Sequence, residues 1–304
     1  MRLRDSWALL RQAFTEWNSD NVPRLGAALA YYSVFSLPPF LILVIAIASF
    51  VFGQKAAQMG IMDEIENTVG APVARAIGDV LANNSEPLQS GAATIIGVAI
   101  LFVAAAAVFG QLQDALNTIW RVQRKSSEGF WGLVRDRFFS LTMVMGCAFL
   151  FLVSLVISTI LSAMNGWMLN RSLPGGALLW QGVNLVVSFG INTLLFALIF
   201  RIVPDAEIEW RDVWLGAALT AILFNLGKFL LGWYLGQAST TSAYGVAGSL
   251  VVILLWVYYA SQVLLFGAAF TRVCAMRRDA TVRPAANAVE VNVPSREPSP
   301  PKAA

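Results

Sequence analysis

The chain has 304 residues, 57% of them hydrophobic and only 13% charged, with a formal net charge of +3 and no histidine. A soluble domain carries roughly 25% charged residues, so the composition is that of a membrane protein. The lack of histidine excludes His-dependent metal sites, Ser-His-Asp arrangements and histidine acid–base chemistry.

Six apolar runs reach the roughly 18–20 residues that a helix needs to cross about 30 Å of hydrocarbon. They cover residues 25–52, 91–112, 138–164, 177–200, 213–236 and 245–271, half of the chain. The longest piece outside them, residues 53–90, has 38 residues, and a free-standing catalytic domain rarely fits in fewer than about 40. Function is therefore expected in the membrane bundle or on its caps. Seventeen Lys and Arg residues fall on one side of the six runs, and only Lys55, Arg75 and Arg171 on the other. The positive-inside rule then places both termini in the cytoplasm, and the same bias accounts for the basic balance without a nucleic-acid partner. The fold expected is an all-α integral membrane protein with six transmembrane helices. No cleaved leader is expected, because the small-residue triplet Ala28-Leu29-Ala30 precedes the apolar core instead of following it.

Residues 1–24 read as a cytoplasmic interfacial helix, with Trp7, Leu10, Phe14 and Trp17 on one face of a 3.6-residue period. The run Asn18–Pro23 ends it, and the six-helix membrane domain follows over residues 25–276. The first span is small and hydroxylated up to Pro38 and Pro39, with Tyr31 among its polar positions, and aliphatic after them. Two adjacent prolines predict a helix break, and discontinuous helices near the bilayer midplane point to transport sites. An ordinary kink satisfied by neighbouring helices is the alternative.

Residues 53–90 carry two short apolar stripes, Ile61, Ile65, Val69 and Val73, Ile77, separated by Gly70-Ala71-Pro72. They predict two short amphipathic helices capping the bundle on its outer side or lying on the outer leaflet. The second span is rich in Gly and Ala and continues into Gln111–Trp120, whose polar residues recur at helical spacing. Arg121, Arg124, Lys125 and Arg135 follow, with Phe130 and Trp131 beside them. Basic residues with aromatics at a membrane suit anionic headgroups, although the positive-inside rule alone produces the same run.

The fourth span has a polar stripe, Gln181, Asn184, Ser188 and Asn192, and the fifth carries Asn225 and Lys228 on one face. Lys228 is the one charged residue inside any of the six runs, and a charge there costs about 3 kcal/mol or more unless it reaches water. Two readings are open. Either Asn184, Asn192, Ser188, Asn225 and Lys228 line a polar path between the fourth and fifth helices, or Lys228 snorkels to the outer interface and the amides are interhelical glue. Gln262 in the sixth span is a further path candidate. Asp205, Glu207 and Glu209 alternate in the loop before the fifth span and read as solvated charges, with no metal expected. Cys147 and Cys274 read as packing residues. Residues 277–304, rich in Pro and Ala, read as a disordered cytoplasmic tail.

Three stretches carry a family resemblance: residues 26–47 (GAALAYYSVFSLPPFLILVIAI), 112–120 (LQDALNTIW) and 242–273 (SAYGVAGSLVVILLWVYYASQVLLFGAAFTRV). They resemble the YihY/BrkB family of bacterial inner-membrane proteins, over roughly residues 5–278. The resemblance implies a multi-pass inner-membrane protein without a settled activity, of a kind linked to serum resistance and envelope lipid handling and described as transporters. Where the family often shows Gly-Ala-Glu near the end of the sixth helix, this chain has Gly267-Ala268-Ala269. The older label ribonuclease BN does not suit a chain with no histidine for a zinc site.

With no glycine-rich phosphate loop and no catalytic constellation, neither enzyme nor cofactor is expected. The sequence favours a flippase-like transporter of a lipid or other amphiphile, not driven by ATP, with Lys228 holding an anionic headgroup. The alternative is a scaffold or assembly factor for envelope proteins, working through the outer cap and the basic loops.

Overall fold

A computed structural model describes residues 3–83, 107–124, 176–237, 240–278, 283–285 and 288–290. The expected span 138–164, most of the span 91–112, and Lys125 and Arg135 lie outside the described residues. So do the side chains of Asn184, Arg124, Pro38 and Pro39.

The described chain is mainly helical: α1 (Leu3–Ser19), α2 (Val22–Phe52), α3 (Gln54–Val69), α4 (Ala71–Asn83), α5 (107–120), α6 (Gly176–Ile202), α7 (Trp210–Gln237) and α8 (Thr240–Met276). Among the described residues, Trp210–Tyr234 and Gly248–Met276 are long and apolar enough to cross a membrane, and Val186–Ile202 is a shorter apolar helix. The α1–α2 turn is made by Asn21 in the left-handed region at φ 52°, a conformation that Asn tolerates, and Pro23 enters the first turn of α2.

α8 is the axis of the fold. Its 37 residues extend for about 55 Å at 1.5 Å per residue, and α1, α2, α4 and α7 all pack against it. Two cores lie along it, named inner and outer after the orientation expected from the sequence. The inner core joins Leu116, Ile119 and Trp120 of α5 to Ala197 and Phe200 of α6, Val213 and Ala217 of α7, and Leu265, Ala268 and Ala269 of α8. The outer core joins Leu41, Val44 and Ala48 of α2 to Ala57, Ile61 and Ile65 of α3, Val73 and Ile77 of α4, and Val252, Ile253 and Trp256 of α8.

The α7–α8 seam is built for close approach. A Cβ at Gly216 would strike the Thr271 hydroxyl, and a Cβ at Gly267 would strike the Thr220 hydroxyl. Each threonine is satisfied on its own helix, Thr220 Oγ1 donating to the Gly216 carbonyl at 2.7 Å and Thr271 Oγ1 to the Gly267 carbonyl at 2.8 Å. Further along, Gly227 receives the Tyr259 ring, whose hydroxyl crosses the seam to the Leu223 carbonyl at 2.8 Å. Small residues facing larger ones let two backbones approach and gain dispersion contacts where lipid offers no hydrophobic drive.

Two expectations are corrected. α2 is one uninterrupted helix from Val22 to Phe52, so Pro38 and Pro39 do not break it. The ladder bonds lost at two prolines are outweighed by packing of α2 along both α3 and α8. α3 and α4 are the two short amphipathic helices expected here, and their stripes pack on the bundle: Ile61, Ile65, Val73 and Ile77 are core residues packed with Trp256 of α8, and Gly70 at φ 91° makes the turn between them. Second, the tail is not wholly disordered. β1 (Val122–Arg124) pairs antiparallel with β4 (Ala288–Glu290), and β2 (Ala206–Glu207) with β3 (Arg283–Pro284). Pairing rests on backbone groups, and the one proline in these strands, Pro284, has no N–H to donate but lies in a two-residue edge pair where none is required, so a Pro- and Ala-rich composition does not preclude them.

α1 is amphipathic as expected, with its faces divided differently. Leu9 and Ala13 are buried against Val273 and Cys274 of α8, while Trp7 and Phe14 point outward. Cys274 is thus a packing residue.

Candidate functional site: a half-buried lysine and a polar cluster

Lys228 stands half-buried on α7. Phe224 and Leu231, four residues before it and three after, share its helical face, and both pack against the outer core that contains Ile61 and Ile65 of α3. Glu64, only 7% exposed, lies between those two isoleucines in the chain. Below the lysine, aromatic rings join three helices. Phe224 meets Phe196 of α6 at 5.6 Å and Trp256 of α8 at 5.5 Å, and Trp256 meets Tyr259 at 6.2 Å. The second helix of the hairpin is tied separately, Ser249 Oγ of α8 donating to Asp79 Oδ2 of α4 at 3.1 Å.

The arrangement gathers some of the expected path residues and disperses others. α6 and α7 do pack side by side, with Asn192 half-buried and Ser188 exposed on α6. Asn225 shares the Lys228 region, but its Nδ2 donates to the Ala221 carbonyl of its own helix at 2.8 Å. Gln262 belongs elsewhere: its Nε2 donates to the Pro23 carbonyl at 3.3 Å, and the side chain lies over Gly26 where α2 crosses α8. Tyr31 is exposed on α2 and meets the rings of Tyr32 and Phe35. Sequence reasoning missed Glu64. The signal was an acid one residue from Ile65 and three from Ile61, on the edge of an apolar stripe that has no reason to carry one at a lipid surface.

A second polar cluster closes the other end of the bundle. Asp205 Oδ2 accepts from Gln113 Nε2 at 3.1 Å and Asn117 Nδ2 at 2.9 Å, and the Asp205 N–H donates to Asn117 Oδ1 at 2.8 Å. The Asp205 carbonyl also accepts from Ala285 in the tail at 3.0 Å. Asp205 is therefore a helix–loop tie, while Glu207 and Glu209 are exposed. Arg272, 5% exposed, donates to the Ile119 carbonyl at the end of α5 at 2.9 Å and lies 3.4 Å from Glu16 and 3.8 Å from Asp20. Arg278 pairs with Asp212 in the first turn of α7 at 2.9 Å, where a carboxylate also complements the helix dipole. Arg121 sits at φ 53° with its guanidinium 4.0 Å from Asp20. Burial pushes the Asp20 carboxyl above its usual range; Arg121 and Arg272 oppose that shift and Glu16 adds to it. Ala269, 2% exposed in the inner core, takes the place at which a glutamate would need a partner of its own.

Comparison with known proteins follows these features. The profile of the family described as "Virulence factor BrkB" matches residues 13–291. A UPF0761 membrane protein of Verminephrobacter eiseniae is 28% identical over 274 residues, 88% of this chain and 62% of that protein. One from Alkalilimnicola ehrlichii is 32% identical over 82% of this chain and 54% of its own length. One from Mannheimia succiniciproducens is 26% identical over 86% of this chain and 87% of its own. The chain thus spans less than two thirds of the length of several of these relatives. No solved structure matches. Matched from α1 to its last strand, this chain is a membrane protein of the virulence factor BrkB family.

Proposed function

We propose that the chain translocates a lipid or other anionic amphiphile across the bacterial inner membrane, without ATP, with Lys228 holding the anionic headgroup. The observation that carries this reading is the half-buried Lys228, the one charged residue in the apolar run 213–236. Intramembrane ionisable residues are costly and are kept where they serve a site. In this reading six helices span the membrane with both termini cytoplasmic. Exposed Trp214 and Trp233 on α7 lie 19 residues apart, about 28 Å along a helix, which suits aromatic anchors at two interfaces. Lys228 then lies a little over one turn inside the outer anchor, within reach of both headgroups and the bundle. Asn192 and Asn225 flank the path. Membrane lipids are the partners, and no nucleic acid is involved.

The test is reconstitution into liposomes with labelled phosphatidylglycerol in one leaflet, comparing wild type with Lys228→Ala. Movement between leaflets that depends on the lysine supports the assignment. Movement indifferent to Lys228 returns it to snorkelling, and no movement of any lipid hands the chain to the scaffold reading.

A further inference from the structure

We propose that the junction of α1, α5 and α8 binds a small cluster of ordered water, held by Glu16, Trp17, Asp20, Trp120, Arg121 and Arg272. The site stands whether or not the chain moves lipid, and three observations lead to it. The first is a deficit of partners. Among the described residues, five buried side-chain atoms make no hydrogen bond, and four of them belong to this junction: Trp17 Nε1, Trp120 Nε1, Arg121 Nε and Glu16 Oε2. The fifth, Gln262 Oε1, lies apart, where α2 crosses α8. Trp120 is only 3% exposed. A buried polar atom left without a partner costs about 1–3 kcal/mol, and a folded chain keeps such a group where something else satisfies it.

The second observation is spacing. Glu16, Trp17 and Asp20 lie within about one turn where α1 ends. Arg272 is 3.4 Å from Glu16 and 3.8 Å from Asp20, and Arg121 is 4.0 Å from Asp20. Arg272 also donates to the carbonyl of Ile119, the residue before Trp120. All three ion-pair distances exceed the roughly 2.7–2.9 Å of a direct charge-assisted hydrogen bond, and polar groups so spaced are readily bridged by water. Burial pushes the Asp20 carboxyl up even beside two guanidiniums, as suits a carboxylate with no direct donor on it.

The third is the chemistry of the occupant. The four unpartnered atoms are three donors and one acceptor, and the two guanidiniums balance the two carboxylates. An oxyanion would meet Glu16 and Asp20, and a metal ion would meet Arg121 and Arg272. Water both accepts and donates, and a buried water typically makes about three hydrogen bonds, so it serves both kinds of atom. It has a way in, because the side chains of Arg121 and Asp20 are 36% and 17% exposed. Water there completes the bonding of both indoles and Arg121 and bridges the long ion pairs, so α1 docks on α8 partly through solvent.

The test reads the site directly. Full-length protein with isotope-labelled Trp and Arg is placed in phosphatidylcholine nanodiscs, and magnetisation transfer from water to side-chain N–H groups is recorded by proton-detected NMR. Transfer is expected at the indole N–H of Trp17 and Trp120 and at the Arg121 Nε–H. It is expected to be lost at Trp256, which is as deeply buried (4% exposed) but sits in the outer apolar core. Substitution of each Trp by Phe identifies the indole signals. Arg121→Lys identifies the Nε–H signal at a side chain more than a third exposed, which covers a Trp variant that fails to fold.

No transfer at Trp120 and Arg121 overturns the inference. Equal transfer at Trp256 also overturns it, because water then enters the bundle generally and not this junction. Inorganic phosphate is added last: if it abolishes the transfer at Trp120 and Arg121, the site takes an oxyanion and the assignment to water falls, whereas unchanged transfer supports water. None of these outcomes depends on lipid movement, so the liposome experiment on Lys228 can fail or succeed separately.

Discussion

The two polar regions of the molecule are built on opposite plans. At the inner end, Arg272 and Asp205 each have several fixed partners: Arg272 serves one carbonyl and two carboxylates, and Asp205 accepts from two side-chain amides and a tail N–H while donating its own N–H. At the outer end, Lys228 stands half-buried beside a core of aromatic and aliphatic side chains, and the neighbouring amide, Asn225, bonds within its own helix. Multiply bonded groups cost a great deal to disturb, because every partner loses its bond at once. The inner end therefore holds the bundle together.

The difference can be broken most severely at Arg272. Arg272→Ala strands the Ile119 carbonyl, Glu16 and Asp20 together, and a loss of about 3–5 kcal/mol is expected, read as a collapse of folded yield or a large drop in Tm in detergent. Overfilling the α7–α8 seam comes next. Gly216→Val drives a side chain into Thr271 and is expected to cost about 1–3 kcal/mol, with Gly232→Ala, where a Cβ meets nothing within 4 Å, as the tolerated control. Asn117→Ala leaves the buried Asp205 N–H without its acceptor, and a loss of about 1–3 kcal/mol in chemical denaturation is expected.

Lys228→Gln sharpens the comparison from the other side: movement of anionic lipid is expected to be lost while the protein still folds in detergent, and a variant that unfolds instead makes Lys228 structural like the inner cluster.

The smallest effect is one of pH. Because the Asp20 carboxyl is raised in the fold, the folded state holds more protons than the unfolded between the ordinary value of 3.8 and the raised one. The contribution of Asp20 to stability therefore falls as pH rises through that window and is constant above it. Asp20→Asn is expected to flatten this part of the denaturation profile, and an unchanged profile would assign the slope to another group.

Much of the architecture could be read one helix at a time. The apolar runs at 177–200, 213–236 and 245–271 became α6, α7 and α8, each helix running on beyond the apolar window, because polar residues such as Trp210-Arg211-Asp212 and Thr240-Thr241 continue a helix that hydropathy alone cuts short. The division of residues 53–90 at Gly70-Ala71-Pro72 was equally legible, since a turn signal is local. Partnerships were not. Asn117 and Asp205 are 88 positions apart, and nothing in either neighbourhood names the other. The same holds for the tail strands, whose pairing rests on backbone groups that nearly every residue carries. Local propensity misled at Pro38 and Pro39, where packing along α2 overrode two lost hydrogen bonds.

The reciprocal fit of Gly216 against Thr271 and of Gly267 against Thr220 also constrains how this chain can vary. Volume across that seam is a shared quantity: a methyl group gained at either glycine has room only if the threonine opposite shrinks. The positions are therefore expected to drift as couples, 216 with 271 and 220 with 267, so that a lineage reaches a different seam through compensated double changes and is poorly served by either single step.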